Sequence, residues 1–288
     1  MAEVSAAMVM KLRKMSGQGM MDCKKALLEA DGDIEKAMDT LRKKGLATLA
    51  KRAERETSQG LVVSKNSDDG KTATMATLCC ETDFVAKSDD FIAAAQLLTE
   101  YALACSADTG IENILETAID GKKYSDVLTE TVSKTGEKTQ VGDYAKYKLD
   151  GPGLISTYIH FNGKVGTMVQ IETSDDTISV SDALKQTAND IAMHITATKP
   201  LALDKEQIDS ETIEREKAIF AEQVKNKPEN IVEKIVEGKM RKFYSENCLL
   251  EQPFVKDDSK TVEQILNEAA KQADGQAKIT RFVRFDVG

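Results

Sequence analysis

The 288-residue chain reads as an α+β protein. Three observations predict this class. Short helical segments fill residues 1–46, a strand hairpin followed by a capped helix occurs twice, and two charged helical segments interrupt the second occurrence. The length gives room for about two domains. The expected organisation is a three-helix module at 1–46, a charged tether at 47–58, a core unit at 59–150 and a second core unit at 151–288. The second unit carries an inserted antiparallel helical hairpin at 204–247.

In the module, Val4, Met8 (or Val9) and Leu12 follow helical spacing until Ser16-Gly17-Gln18-Gly19 breaks the run. Met21-Asp22-Cys23 opens a second helix with Ala26 and Leu27 on one face. Asp31-Gly32 ends it, and Asp33 is placed to cap a third helix through Ile34, Ala37, Met38 and Leu41. Gly45 is expected to stop that helix. Ala47 to Ser58 is rich in Lys, Arg and Glu and reads as a helical or flexible tether.

The first core copy pairs Leu61-Val62-Val63 with Thr72 to Cys80 across an Asp68-Asp69-Gly70 turn. Ser88-Asp89-Asp90 then caps a helix from Phe91 towards Ala104. The second copy pairs Leu154 to Phe161 with Val165 to Thr173 across Asn162-Gly163, a strong two-residue hairpin signal. Ser181-Asp182 caps its helix, which Lys199-Pro200 stops. Thr74-Met75 with Glu81-Thr82-Asp83 echoes Thr167-Met168 with Glu172-Thr173-Ser174, so the duplication is expected with unequal spacing. Between the copies, Ser125 to Val132 predicts a helix and Tyr144 to Leu149 a strand. The alternation of Ile279 to Val287 predicts a closing strand in the second sheet. Within the insert, Asp209-Ser210 starts one helix, Asn226-Lys227-Pro228 turns the chain, and Ile231, Ile235, Val236, Met240 and Phe243 stripe the other. Its narrow seam predicts a projecting arm, open to a partner or to self-association, or else packed as a solvated arm along its own domain.

Composition excludes several functions. A net charge of -9 gives no general cation excess for phosphate backbones, so no direct nucleic-acid binding is expected. No apolar run approaches the roughly 18 residues of a membrane span, and the N-terminus has no signal-peptide order of charge. A cytoplasmic protein with no membrane contact is expected. Five scattered cysteines without Cys-x-x-Cys read as reduced, buried thiols. Two distant histidines argue against zinc: His194 sits in a helix as a core residue, and His160 stands exposed near a strand end. No phosphate-binding or dinucleotide loop occurs. The chain reads as a binding protein with no cofactor rather than an enzyme.

The run Cys79-Cys80-Glu81-Thr82-Asp83-Phe84-Val85-Ala86-Lys87 is the most informative. A core strand ends more naturally in Gly or Asn than in Asp-Phe, so Phe84 is either folded back as core or offered to a partner. With no tryptophan and 5 % aromatic residues, each exposed aromatic carries weight.

Four runs in order resemble bacterial translation elongation factor Ts, the exchange factor family of elongation factor Tu. They are Gly19-Met20-Met21-Asp22-Cys23-Lys24-Lys25-Ala26-Leu27, Thr82-Asp83-Phe84-Val85-Ala86, Ala192-Met193-His194-Ile195 with Lys199-Pro200, and Gln252-Pro253-Phe254-Val255 followed by Lys260-Thr261-Val262. The resemblance implies a ubiquitin-associated-like N-terminal module, two related core subdomains and the inserted hairpin. It also implies that the GDP form of elongation factor Tu is the partner. By position, Asp83 and Phe84, flanked by Thr82 and Val85, would wedge between partner helices and disturb the magnesium site. His160 would press on the phosphate-binding loop, and Gly19, Met20 and Met21 would dock the module. One of the two methionines is expected to be buried. Two departures stand out. Tyr144 to Tyr147 replaces an expected arginine pair, and the chain stops at Gly288 without the C-terminal helical extension of some members, whose contacts are expected to be absent or replaced.

Three other readings compete: a ubiquitin-like-domain binder through the module alone, a thiol enzyme through Cys79 or Cys80, and a self-associating protein built on the hairpin.

Overall fold

The computed structural model describes residues 4–288, without the side chains at positions 229 and 230. Positions 1–3, with which the predicted module begins, lie outside the described residues. The architecture is α+β with antiparallel sheets.

Helices α1 (Ala6–Ser16), α2 (Met20–Glu29) and α3 (Ile34–Lys51) close around Leu12, Cys23, Ala26, Leu27, Ala37 and Leu41. Ser5 caps α1, Gly17 ends it in the left-handed region (φ 67°), and Asp33 caps α3 through the Glu35 and Lys36 amides. Gly45 does not end α3, as the sequence suggested; the helix runs on to Lys51, into the segment read as a tether.

The first sheet holds β1 (Gln59–Asn66), β2 (Thr72–Cys80) and, after further elements, β5 (Thr139–Lys148) in the order β1-β2-β5. Between β2 and β5 run α4 (Asp83–Ala86), α5 (Asp89–Ala104), α6 (Ile111–Glu116), the short pair β3 (Ala118–Ile119) and β4 (Lys122–Lys123), and α7 (Tyr124–Thr135). The second sheet joins β6 (Gly153–Ile159), β7 (Val165–Thr173) and the closing β10 (Ala277–Asp286) in the order β10-β7-β6. Its helices are α8 (Asp176–Ser179) and α9 (Asp182–Thr198). The insert follows as α10 (Ser210–Gln223) and α11 (Glu229–Asn247), then the pair β8 (Pro253–Phe254) and β9 (Asp257–Thr261), and α12 (Val262–Gln272).

The duplication is tighter than the sequence echo suggested. One offset of 93 residues carries Thr72–Cys80 onto Val165–Thr173 and Asp83–Ala86 onto Asp176–Ser179. The same offset carries Gly60 (φ 154°) onto Gly153 (φ 156°). A Cβ at Gly60 would lie 2.0 Å from the Leu78 carbonyl, and one at Gly153 would lie 2.4 Å from the Ile171 carbonyl, so both strand starts require glycine. Glu81 therefore corresponds to Ser174, not to Glu172.

Strand alternation builds three cores. Ala76, Leu78 and Cys80 of β2 face α5 and α7, packing on Phe91, Leu98 and Leu128. Val169 and Ile171 of β7 face α9 and α12, packing on Leu184, Ile191 and Leu266. The opposite faces of the sheets meet through Met75, Tyr147, Ile155 and Met168. Arg281 of β10 lies 4.0 Å from the Tyr147 ring across that seam. Each fully buried side chain of this size contributes about 1.5–3 kcal/mol. The inserted arm joins the body at its base, where Ile213, Phe243 and Tyr244 pack on Ala202, Ile208 and Cys248. Further out, α10 buries no residue.

Candidate partner-binding site

Asp83 and Phe84 do not sit in a bare β-turn. They open the one-turn helix α4 directly after β2. The Thr82 hydroxyl accepts from the Val85 amide at 3.3 Å and caps the turn. Glu137 holds the cap in turn. Its carboxylate accepts from the Thr82 amide at 3.0 Å and from the Thr82 hydroxyl at 2.7 Å. Ser88 closes the far side by donating to the Val85 carbonyl at 2.7 Å.

These bonds divide the turn into an anchor and a display face. Ala86 is buried, and half-buried Val85 packs against the first core. Phe84 points away and is 83 % exposed. Asp83 is half-buried and pairs with Lys87 at 2.8 Å; that hydrogen bond holds its carboxyl below the usual range. A second clamp lies just before the turn. Arg52 Nη1 donates to both Glu81 carboxylate oxygens, at 2.8 and 2.7 Å, and the Lys138 amide donates to Glu81 at 2.7 Å. Burial pushes the Glu81 carboxyl up, but these bonds outweigh it and leave it below its ordinary value.

The β6–β7 turn comes to the same place. Lys164 lines one shallow hollow with Gln59, Glu81, Asp83, Phe84 and Lys87. The turn is fixed to the first sheet: the Val62 amide donates to the Gly163 carbonyl at 2.7 Å, and Lys164 Nζ donates to Gln59 at 2.6 Å. His160 is half-buried rather than fully exposed, with Nδ1 3.2 Å from the Tyr158 hydroxyl. Its ring lies 4.4 Å from that of Phe161. Phe161 is 91 % exposed, the most exposed large apolar side chain described. Sequence reading placed it at the end of a strand, but pairing stops at Ile159 and leaves Phe161 in the turn.

The module tip lies on a separate core. Gly19 caps α2 without a side chain, and Met20 and Met21 are both exposed. The expectation that one of them is buried fails because Cys23, Ala26 and Leu27 already fill that face.

Two other predicted groups turn inward. His194 is fully buried, accepting from the Val255 amide at Nδ1 and contacting Gln252 through Nε2 at 2.8 Å; burial lowers its pKa. Cys79 and Cys80 are buried, and desolvation pushes Cys79 up and Cys80 up to about 12. Burial thus disfavours the thiolate form at both positions. Among the described residues, no helix is long and apolar enough to cross a membrane.

A family model described as "Elongation factor TS" matches residues 81–288. The chain is 44 % identical over 287 residues to elongation factor Ts of a Nitratiruptor species, covering 99 % of this chain and 93 % of the relative. It is 43 % identical over 288 residues to that of a Clostridium botulinum strain, with the same coverage of each. With the protein of that name from Desulfovibrio desulfuricans it shares 39 % over 290 residues, 100 % of this chain and 99 % of the relative. The chain belongs to the elongation factor Ts family.

Proposed function

We propose that this chain is a translation elongation factor that binds elongation factor Tu in its GDP form and promotes GDP release without covalent chemistry. The observation that carries the reading is Phe84, 83 % exposed on a turn held by Thr82, Glu137 and Ser88. A rigid exposed phenyl ring gains roughly 1.5–3 kcal/mol when it enters an apolar crevice. If the crevice opens only when the partner's helices part, the ring favours the parted state. By linkage that state holds nucleotide less tightly. Asp83 brings a carboxylate to the same edge, and disturbing the magnesium ion would remove charge neutralisation from the phosphates.

In this reading Asp83 and Phe84 form the wedge, while Thr82 and Val85 anchor it. His160, with Phe161 beside it, presses on the partner's phosphate-binding region. Gly19, Met20 and Met21 dock the module elsewhere on the GTPase domain; methionine suits such an adaptable contact. Residues 1–46 then act as a ubiquitin-associated-like module, and 59–150 and 151–288 as two related core subdomains. The test is stopped-flow release of a fluorescent GDP analogue from elongation factor Tu. Release should accelerate in proportion to added chain before saturating; an unchanged rate contradicts the proposal.

A further inference from the structure

Helix α3 belongs to two packing units. Its first half supplies Ala37 and Leu41 to the module core. From its middle onward it lies against α7. There the Leu41 carbonyl accepts from Ser133 Oγ at 3.3 Å, and Arg42 pairs with Asp126. Gly45 is buried at the crossing: a Cβ there would stand 2.5 Å from the Thr129 carbonyl and 3.1 Å from Ser133 Cβ. Any side chain would push the two backbones apart. At the far end, Arg52 holds Glu81, the residue before Thr82, and Lys138 Nζ donates to the carbonyls of Ala53 and Arg55 at 2.7 and 3.0 Å. Positions 41, 45 and 52 fall on one helical face, so a single seam joins the module to the Asp83–Phe84 turn.

We infer that Gly45 is a positioning residue: by seating α3 on α7, it fixes the distance between the Gly19–Met21 tip and the Asp83–Phe84 turn. The inference rests on the proposed two-contact binding of the GTPase. An eighteen-residue helix spans about 27 Å, and a stiff spacer of matched length makes the second contact intramolecular. Unseating α3 leaves each contact chemically intact but removes the fixed spacing. The loss then falls on binding, not on the chemistry of the turn.

The full-length chain tests this with Gly45→Val and Gly45→Ala. Gly45 does not occupy the left-handed region, and alanine is the better helix former, so Gly45→Ala strengthens α3 while crowding its seat. The readouts are the concentration of chain that half-saturates GDP release from elongation factor Tu, the maximal release rate, and amide exchange at residues 129–133. Gly45→Val should raise the half-saturating concentration tenfold or more and keep the maximal rate within twofold, with faster amide exchange on α7. Gly45→Ala should fall between Gly45→Val and the parent. Should Gly45→Val lose its cooperative melting, Gly45→Ala decides on the same quantities. An unchanged half-saturating concentration despite faster exchange on α7 overturns the inference. So does a loss confined to the maximal rate. Failure of the parent chain to stimulate release is a different result, and it would count against the exchange reading itself.

Discussion

Helices α4 and α8 occupy the same place in the two halves of the duplication, yet they treat their side chains in opposite ways. In α8, Asp175 caps the turn through the Thr177 and Ile178 amides, and Ile178 is 1 % exposed. Gly275 lies so close that a Cβ there would be 1.7 Å from Ile178 Cδ1. In α4 the equivalent of Ile178 is half-buried Val85, and the equivalent of exposed Thr177 is Phe84. One copy uses the turn to close its own core. The other holds an apolar ring in water and ties down the residues beneath it. Exposing a phenyl group brings no gain to folding, and in the proposed function this turn of the first copy is the one offered to the partner.

The contrast can be broken most forcefully in the second copy. Ile178→Ala should lower unfolding free energy by about 2–5 kcal/mol, because a packed side chain leaves a cavity behind. Stimulated GDP release at temperatures where the variant stays folded should not change. Denaturant unfolding and the release assay measure the two quantities separately. A slower release from folded Ile178→Ala would place function in α8 as well.

The two caps give a finer comparison. Thr82→Ala and Asp175→Ala each remove one helix cap, worth about 1 kcal/mol, and should lower the melting temperature by similar amounts. Only Thr82→Ala should slow release, by a few-fold, since it also removes the hydroxyl's bond to Glu137, one of the two that tie Glu137 to the turn that carries Phe84.

The smallest expected effect is in pH. Tyr101 and His194 hold equivalent positions on α5 and α9, both buried. Burial lowers the His194 pKa, so the folded state binds fewer protons than the unfolded chain. Its contribution to stability is complete above the ordinary value of 6.5 and is lost as pH falls below it towards the folded pKa. His194→Asn should flatten that part of the stability curve, while Tyr101→Phe should leave its slope unchanged. Urea unfolding between about pH 7 and 5 tests this, bracketing the ordinary imidazole range.

Much of this architecture was legible in the chain. Ser88, Ser181, Asp33 and Asp209 announce their helices because a cap acts within three residues. The Asn162-Gly163 turn and the closing strand follow from equally local patterns. Gly45 was misread because a glycine that ends a helix and one that admits a neighbouring backbone look alike until Thr129, far along the chain, is in place. The clamps on the turn, Glu137 on Thr82 and Arg52 on Glu81, join residues distant in sequence and leave no periodic trace. Asp83 and Phe84 were visible as an unusual strand end, but their one-turn helix is too short to show periodicity. Phe161 was hidden in an apparent strand, since burial is decided by where pairing stops.

The central claim is that Phe84 acts on the partner rather than on its own fold. The most direct measurement is the maximal rate of GDP release from elongation factor Tu at saturating Phe84→Ala, taken alongside the thermal unfolding of that variant. The account predicts a rate lower by roughly 30-fold, the effect of losing an interface anchor worth about 2 kcal/mol, with unfolding stability within about 0.5 kcal/mol of the parent. A maximal rate equal to the parent's, from an equally stable variant, would contradict it.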